Sequence, residues 1–355
     1  MNSTIPKIPL AFKPTLIVIS GPTGVGKSRF AIDIAERLAC PIVSADARQI
    51  YKGMEIGTAA PSPSDLKRAE HYMIGTVSPT DYYSAARYEA EVIPLLERLF
   101  RSHPYVVLAG GSMLYVDAVC FGIDPMPDVP LEIREHLKER LVAQGADALL
   151  DELKRVDPSY WRNVDRSNTK RILHALEVFY ASGRPFSSFR TAVKKPRSFD
   201  IRKVLLVCER EKLYHDINER TLRMLDSGWL DETKSLLPYR NTNALDTIGY
   251  KELFAYLDGS IDLKEAIRLI QRNTRRYARK QMTWFRRDGE YLLYPNDVSP
   301  AHLLRLLWLP SYLTYLSSTS FPRNCPEVLP SPPLPFLRKR NLSFLFYTFV
   351  SSKKR

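Results

Sequence analysis

Cysteine is scarce in this chain. Its four residues, Cys40, Cys120, Cys208 and Cys325, lie far apart and form no C-x-x-C pair. They offer no zinc site and suit a reducing, cytoplasmic setting. Long apolar runs are also missing. No stretch of about eighteen uninterrupted apolar residues occurs, so no membrane span is expected. The N-terminal region lacks a signal-peptide pattern, because its short apolar run is accounted for by a strand. No internal repeat is apparent. Acid is in deficit, with a net charge of +13 over 355 residues. Much of that excess is local. The last sixty residues hold eight basic and two acidic side chains, +6 of the total, leaving +7 for the first 295. The lower figure still favours a polyanionic partner, but charge alone says nothing about fold.

What is present alternates between strand and helix signals from residue 14 to about 125. Residues 16–20, 41–44 and 105–109 are short apolar strand patterns separated by helical ones. That alternation implies a parallel α/β sheet whose ligands sit at the carboxyl ends of the strands. Residues 126–200 are charged and helical in periodicity, which predicts a helical insertion. A strand returns at 203–208, so the sheet is expected to resume, and the core is assigned to residues 14–125 and 201–295. Residues 296–355 form a Pro-, Leu- and Ser-rich tail, expected to be largely without order apart from one short helix near 303–309. Its only cysteine is Cys325, and no histidine follows His302.

The segment Gly21-Pro22-Thr23-Gly24-Val25-Gly26-Lys27-Ser28 reads G-x-x-x-x-G-K-[ST] between a strand and a helix. This is a phosphate-binding P-loop. Its backbone N–H groups can point at an anion, the helix N-terminus adds positive dipole and Lys27 adds a full charge. The Ser28 hydroxyl can hold Mg²⁺.

Four further regions carry possible chemistry. Asp46-Ala47-Arg48-Gln49 follows the second strand, at the expected ligand edge. Asp46 could act as a base or cap the next helix, and spacing leaves both open. Gln49 could hydrogen-bond a base edge. The strand at 105–109 ends in Gly110-Gly111-Ser112, without the acid that P-loop NTPases place there for Mg²⁺. The glycines permit close approach of the backbone to substrate, and Ser112 could simply cap a helix. Arg220 and Arg223 share a helix face. They suit a diphosphate or, equally, solvent. Residues 267–287 hold eight cations and no acid, with Ile267, Ile270, Thr274, Tyr277, Gln281 and Trp284 at helical spacing as the expected inward stripe. A one-sign helix with aromatics favours nucleic acid over a plain solvated face.

Taken together, these segments resemble the tRNA dimethylallyltransferases (tRNA isopentenyltransferases, or IPP transferases) of the bacterial type. The resemblance rests on residues 21–28, 44–51, 110–115, 171–178, 248–250 and 277–285, in the family's order over about 14–290. It implies a P-loop NTPase-like parallel sheet with a helical insertion gripping the tRNA anticodon stem-loop. The implied reaction moves a dimethylallyl group from dimethylallyl diphosphate to N6 of the adenosine 3′ to the anticodon, with Mg²⁺. Asp46, Ser112 and Arg220 are then the expected catalytic residues, and residues 21–28 the diphosphate grip. Beyond Asp46, Ala47, Arg48, Gln49 and Ser112, the implied tRNA contacts are Lys170-Arg171-Ile172-Leu173-His174, Asp246-Thr247-Ile248-Gly249-Tyr250-Lys251 and Arg279-Lys280-Gln281-Met282-Thr283-Trp284-Phe285-Arg286. Ser112 stands where the family has Thr, His174 where Arg is commoner, and Arg279-Lys280 inverts Lys-Arg. The zinc finger of eukaryotic members is absent. No obligate protein partner is implied, and a monomer is expected. A small-molecule kinase, which also places an acid after its second strand, is the rival reading.

Overall fold

Six strands form one parallel sheet: β1 (Thr15–Ser20), β2 (Ile42–Ser44), β3 (His71–Tyr72), β4 (Tyr105–Ala109), β5 (Asp200–Val207) and β6 (Leu292–Pro295). The structure, a computed structural model, describes residues 13–307 except 192. Eleven helices are named among these residues: α1 (Lys27–Leu38), α2 (Pro63–Arg68), α3 (Ala85–Leu99), α4 (Met113–Phe121), α5 (Leu131–Val156), α6 (Pro158–Asn163), α7 (Thr169–Ser182), α8 (Arg210–Asp226), α9 (Trp229–Ser235), α10 (Tyr250–Leu257) and α11 (Leu263–Phe285).

The strand order is β3-β2-β4-β1-β5-β6. All six residues of β1 are buried, as expected of a central parallel strand covered by helices on both faces. Register sets where the loops emerge. Ile19 of β1 and Ser44 of β2 both pair with Ala109 of β4, so these three strands end level. The loops after residues 20, 44 and 109 therefore leave the sheet together at one edge. The two strands unannounced by the sequence, β3 and β6, are the short outer ones, where no long apolar run is required.

One face of the sheet packs Tyr88, Val92 and Leu96 of α3, Val116 of α4, and Ile270 and Phe285 of α11. The other packs Phe30, Ile32 and Ile34 of α1 with Leu213 and Ile217 of α8. Among the described residues no strand lies between β4 and β5. Helices α5–α7 instead enclose a small core of their own around Leu137, Leu149, Leu153, Ile172 and Leu176. Helix α5 bends at Gly145, whose φ of 80° is non-helical.

Within the tail that begins at residue 296, the short helix expected near 303–309 is present and starts a few residues earlier. Residues 300–307 are helical, and Leu303 and Leu307 are buried with Tyr294 in the second core. Their four-residue spacing puts both leucines on one helix face. The remainder of the tail, including Cys325, lies outside the described residues. No helix among the described residues is long and apolar enough to cross a membrane.

Candidate active site

The P-loop curls between β1 and α1. Gly24 and Gly26 have φ of 88° and 90°, a left-handed region that side chains other than glycine rarely enter. Gly26 is also the N-cap of α1, so the loop ends at a positive helix pole. Lys27 Nζ donates to the Pro22 carbonyl at 2.9 Å, which holds the ammonium over the loop. Burial is the largest influence on Lys27. With Arg220 it lowers the pKa to about 8, against the opposing pull of the Asp46 carboxylate. Ser28 is exposed on the first turn of α1, whereas Val25 turns into the core.

Asp46 faces this cationic ground from the end of β2. Its Oδ1 accepts the Arg48 N–H at 2.8 Å and the Gln49 N–H at 3.3 Å, and Oδ2 makes no hydrogen bond among the described residues. The capping alternative is thus met by the same carboxylate that lines the cavity: one oxygen fastens the turn and the other is unspent. Ser112 is the N-cap of α4, yet its hydroxyl does not cap that helix. It accepts the Ala47 N–H at 2.7 Å and so ties the end of β2 to the end of β4. Gly110 lies so close to Ala45 that a side chain there would run into the Ala45 backbone. The close approach expected toward substrate at Gly110-Gly111 is instead made within the protein, by Gly110 to the Ala45 backbone and by Gly111 to the Gln281 side chain.

From the opposite wall, Arg220 of α8 donates through Nη2 to the Thr23 hydroxyl at 2.8 Å. Burial lowers the Arg220 pKa, and the nearby Asp46 opposes that effect. Tyr277 of α11 is raised to about 12, first by burial and then by Asp46. Asp46, Thr23, Arg220, Ser112 and Tyr277 all line one cavity of about 1700 Å³. The insertion contributes Arg134, Lys170 and His174 to the same cavity, and α11 contributes Lys280.

The rim is partly self-paired. Asp246 accepts from Lys170 at 2.6 Å and from Lys251 at 2.8 Å, and these two ammonium groups hold its carboxyl down at about 2. Arg48 spends its guanidinium on the carbonyls of Asn243, Ala244 and Asp246 and so anchors this loop.

The structure divides the residues expected to meet RNA. Lys170, Arg171, His174, Lys251, Arg279, Lys280, Thr283 and Arg286 are exposed. Thr247 and Ile248 line the cavity. Other side chains of these segments are engaged within the protein. Gln49 accepts from Ser44 and donates to the Thr58 and Ala59 carbonyls. Gln281, 2% exposed, accepts the Thr23 N–H and donates to the Gly111 carbonyl, clamping the P-loop to the β4 turn. Tyr250 is buried and donates to Glu232, and Gly249 packs on the Trp229 ring. Phe285, Met282 and Leu173 pack into or against cores, and Ile172 is wholly buried. Trp284 donates to Asp117 of α4 at 2.9 Å.

Two cavity residues escape a reading of the sequence. The Arg134 guanidinium lies 4.4 Å from the Tyr82 ring centre, joining insertion to core across the cavity mouth. Arg134 sits in a helix of mixed charge, where nothing marks one arginine. Tyr82 stands beside a second tyrosine in a loop, but only Tyr82 is exposed and Tyr83 is buried, a difference the sequence does not mark.

A parallel sheet, a P-loop after its first strand and a carboxylate opposite the loop define a P-loop α/β protein built to act on a phosphate-bearing substrate. The chain belongs to the IPP transferase family, whose model matches residues 49–288. That span begins after the P-loop, so the match does not lean on a motif shared by many folds. The chain is 52% identical over 277 residues to tRNA dimethylallyltransferase 1 of Bacteroides thetaiotaomicron, covering 78% of this chain and 90% of that protein. It is 51% identical over 293 residues to tRNA dimethylallyltransferase 2 of Porphyromonas gingivalis, covering 82% and 98%. It also resembles the crystal structure of the full-length tRNA isopentenylpyrophosphate transferase from Bacillus halodurans. There the TM-score is 0.60 at 31% identity, over 86% of this chain and 98% of that one.

Proposed function

We propose that the protein transfers a dimethylallyl group from dimethylallyl diphosphate to N6 of the adenosine 3′ to the anticodon in tRNA. One observation carries the reading: an unspent carboxylate oxygen of Asp46 and an anion-binding loop face a single large cavity between the core and a helical insertion with an exposed basic rim. The missing acid after β4 argues against hydrolysis by metal-activated water and suits a reaction at carbon, in which the phosphates only depart.

The adenine leaves its stack and enters the cavity, since its N6 is not reachable within a stacked loop. A bond forms between N6 and the allylic carbon as the carbon–oxygen bond to diphosphate breaks. Diphosphate leaves with the electron pair, and Asp46 takes the N6 proton. Lys27, Thr23 and Arg220 stabilise the charge gathering on diphosphate. Ser112, through its bond to the Ala47 N–H, keeps the Asp46 turn in place.

The donor set fits Mg²⁺ in a restricted way. No group of three or more His, Cys, Asp or Glu residues able to hold a metal occurs among the described residues. The exposed Ser28 hydroxyl would supply one oxygen, and diphosphate and water the rest, the usual pattern for this ion. Held there, the ion would supply positive charge against the diphosphate. Lys170, Arg171, Lys251, Arg279, Lys280 and Arg286 are proposed to meet tRNA phosphates. The protein is proposed to act in the cytoplasm as a monomer.

Asp46→Asn tests the assignment. Transfer at saturating substrates is expected to fall by about a hundredfold to ten-thousandfold, the range for loss of a general base. Filter binding should show tRNA affinity within about twofold of the parent, because the lost charge lies inside the cavity rather than on the rim. Unchanged transfer would exclude Asp46 as the base.

A further inference from the structure

We propose that Glu89 is a positioning residue for this transfer: a single carboxylate that clasps both chain crossings between core and insertion and so sets how the two cavity walls face each other. The inference rests on the function proposed above.

Glu89 lies on α3 and is 8% exposed. The chain leaves the core after α4 and returns just before β5, and both passages meet this side chain. On the outgoing passage, the Ile123 N–H donates to Oε2 at 2.8 Å. On the return, Arg197 Nη2 donates to Oε1 at 2.8 Å, and Lys195 Nζ reaches both oxygens at 3.1 Å. Arg197 also donates to the Ala118 and Val119 carbonyls at the end of α4, through Nη2 and Nε. The Lys195 N–H donates to the Phe121 carbonyl at 2.7 Å, so the passages are also joined to each other. Burial alone would push the Glu89 carboxyl up, but the donors from Arg197, Ile123 and Lys195 hold it below the ordinary range.

The clasp sits close behind the reacting space. Ser84, Ala85 and Arg87, at the start of the same helix, line the cavity, and so do Ile123 and Met126 on the outgoing passage. The catalytic groups proposed above belong to the core, while Lys170 and His174 belong to the insertion. Across the opposite lip, the Lys170–Asp246 pair involves a lysine 82% exposed, a kind of bridge that contributes little and is screened by salt. Glu89 differs, because removing its charge would leave Arg197, 9% exposed, without its carboxylate. Its loss should therefore loosen the walls without touching the P-loop.

The test is a split in kinetics. In Glu89→Gln, KM for tRNA is expected to rise about tenfold to a hundredfold, the scale of a small misplacement remote from the chemistry. The dissociation constant for dimethylallyl diphosphate should stay within about twofold, because the P-loop is untouched. Glu89→Asp should recover part of the tRNA defect. Lys195→Met keeps the Arg197 bond and serves if Glu89→Gln does not fold; a smaller shift of the same direction is expected. In parallel, pulsed EPR between spin labels at Val142→Cys and Leu66→Cys, with Cys208→Ser and Cys325→Ser, should give a broader distance distribution when Glu89→Gln is added. An unchanged tRNA KM with an unchanged distribution overturns the proposal. So does a loss shared equally by tRNA and donor, which marks a merely structural role. A parent protein that moves no label to tRNA would instead defeat the function on which the inference rests.

Discussion

Lys27 is the residue whose chemistry is most open to direct measurement. Its pKa of about 8 means that the free protein holds the ammonium charge at pH 7 and sheds it as pH rises past 8. Diphosphate prefers the charged form, so its affinity should weaken above that pH by up to about tenfold per unit. Equilibrium dialysis of dimethylallyl diphosphate between pH 7.5 and 9.5 checks this, and a flat profile would contradict it. Gly110 makes a second prediction. Gly110→Ala pushes a methyl into the Ala45 backbone, which cannot swing away as a side chain could. A loss of about 1–3 kcal/mol in urea denaturation is expected from such overpacking. Individual residues were unevenly legible. The P-loop could be read outright because glycine spacing and the lysine have a single common use. The double role of Asp46 could not, since an Asp before a turn looks the same whether it spends one oxygen or two.

Helix α11 shows what periodicity reveals and what it leaves out. Of the expected stripe, Ile267 and Trp284 are half-buried and Ile270, Thr274, Tyr277 and Gln281 face inward, but inward has two meanings here. Ile270 enters the core and Gln281 is buried against the P-loop, while Thr274 and Tyr277 line the cavity. A 3.6-residue period separates inside from outside and carries no mark for a cavity. The cations are easier to interpret, because Arg279, Lys280 and Arg286 are all exposed, Lys280 at the edge of the cavity. Replacing Arg279 and Lys280 by Ala should weaken tRNA binding and flatten its dependence on log salt by about one unit for each phosphate no longer neutralised. Titrations at several salt concentrations measure that slope. An unchanged slope would place both side chains away from RNA.

At the level of the whole molecule, the level ends of β1, β2 and β4 bring residues 21–28, 46 and 110–112 to one edge. That much was implied by alternating strands and helices, because a parallel sheet aligns its carboxyl ends. The insertion was legible as helices but not as a wall. Its placement depends on Arg134 over Tyr82, on Lys170 with Asp246, and on Glu89 holding two distant passages. Such pairs are distant in sequence and have no local signature. The central claim is that a P-loop here serves a reaction at carbon on tRNA. The most direct measurement incubates the protein with tRNA and dimethylallyl diphosphate labelled in its hydrocarbon, then digests the RNA and locates the label by mass spectrometry. The account predicts label on N6 of the adenosine 3′ to the anticodon, with diphosphate released in equal amount. An unmodified tRNA, or transfer of phosphate in place of the hydrocarbon, would contradict it.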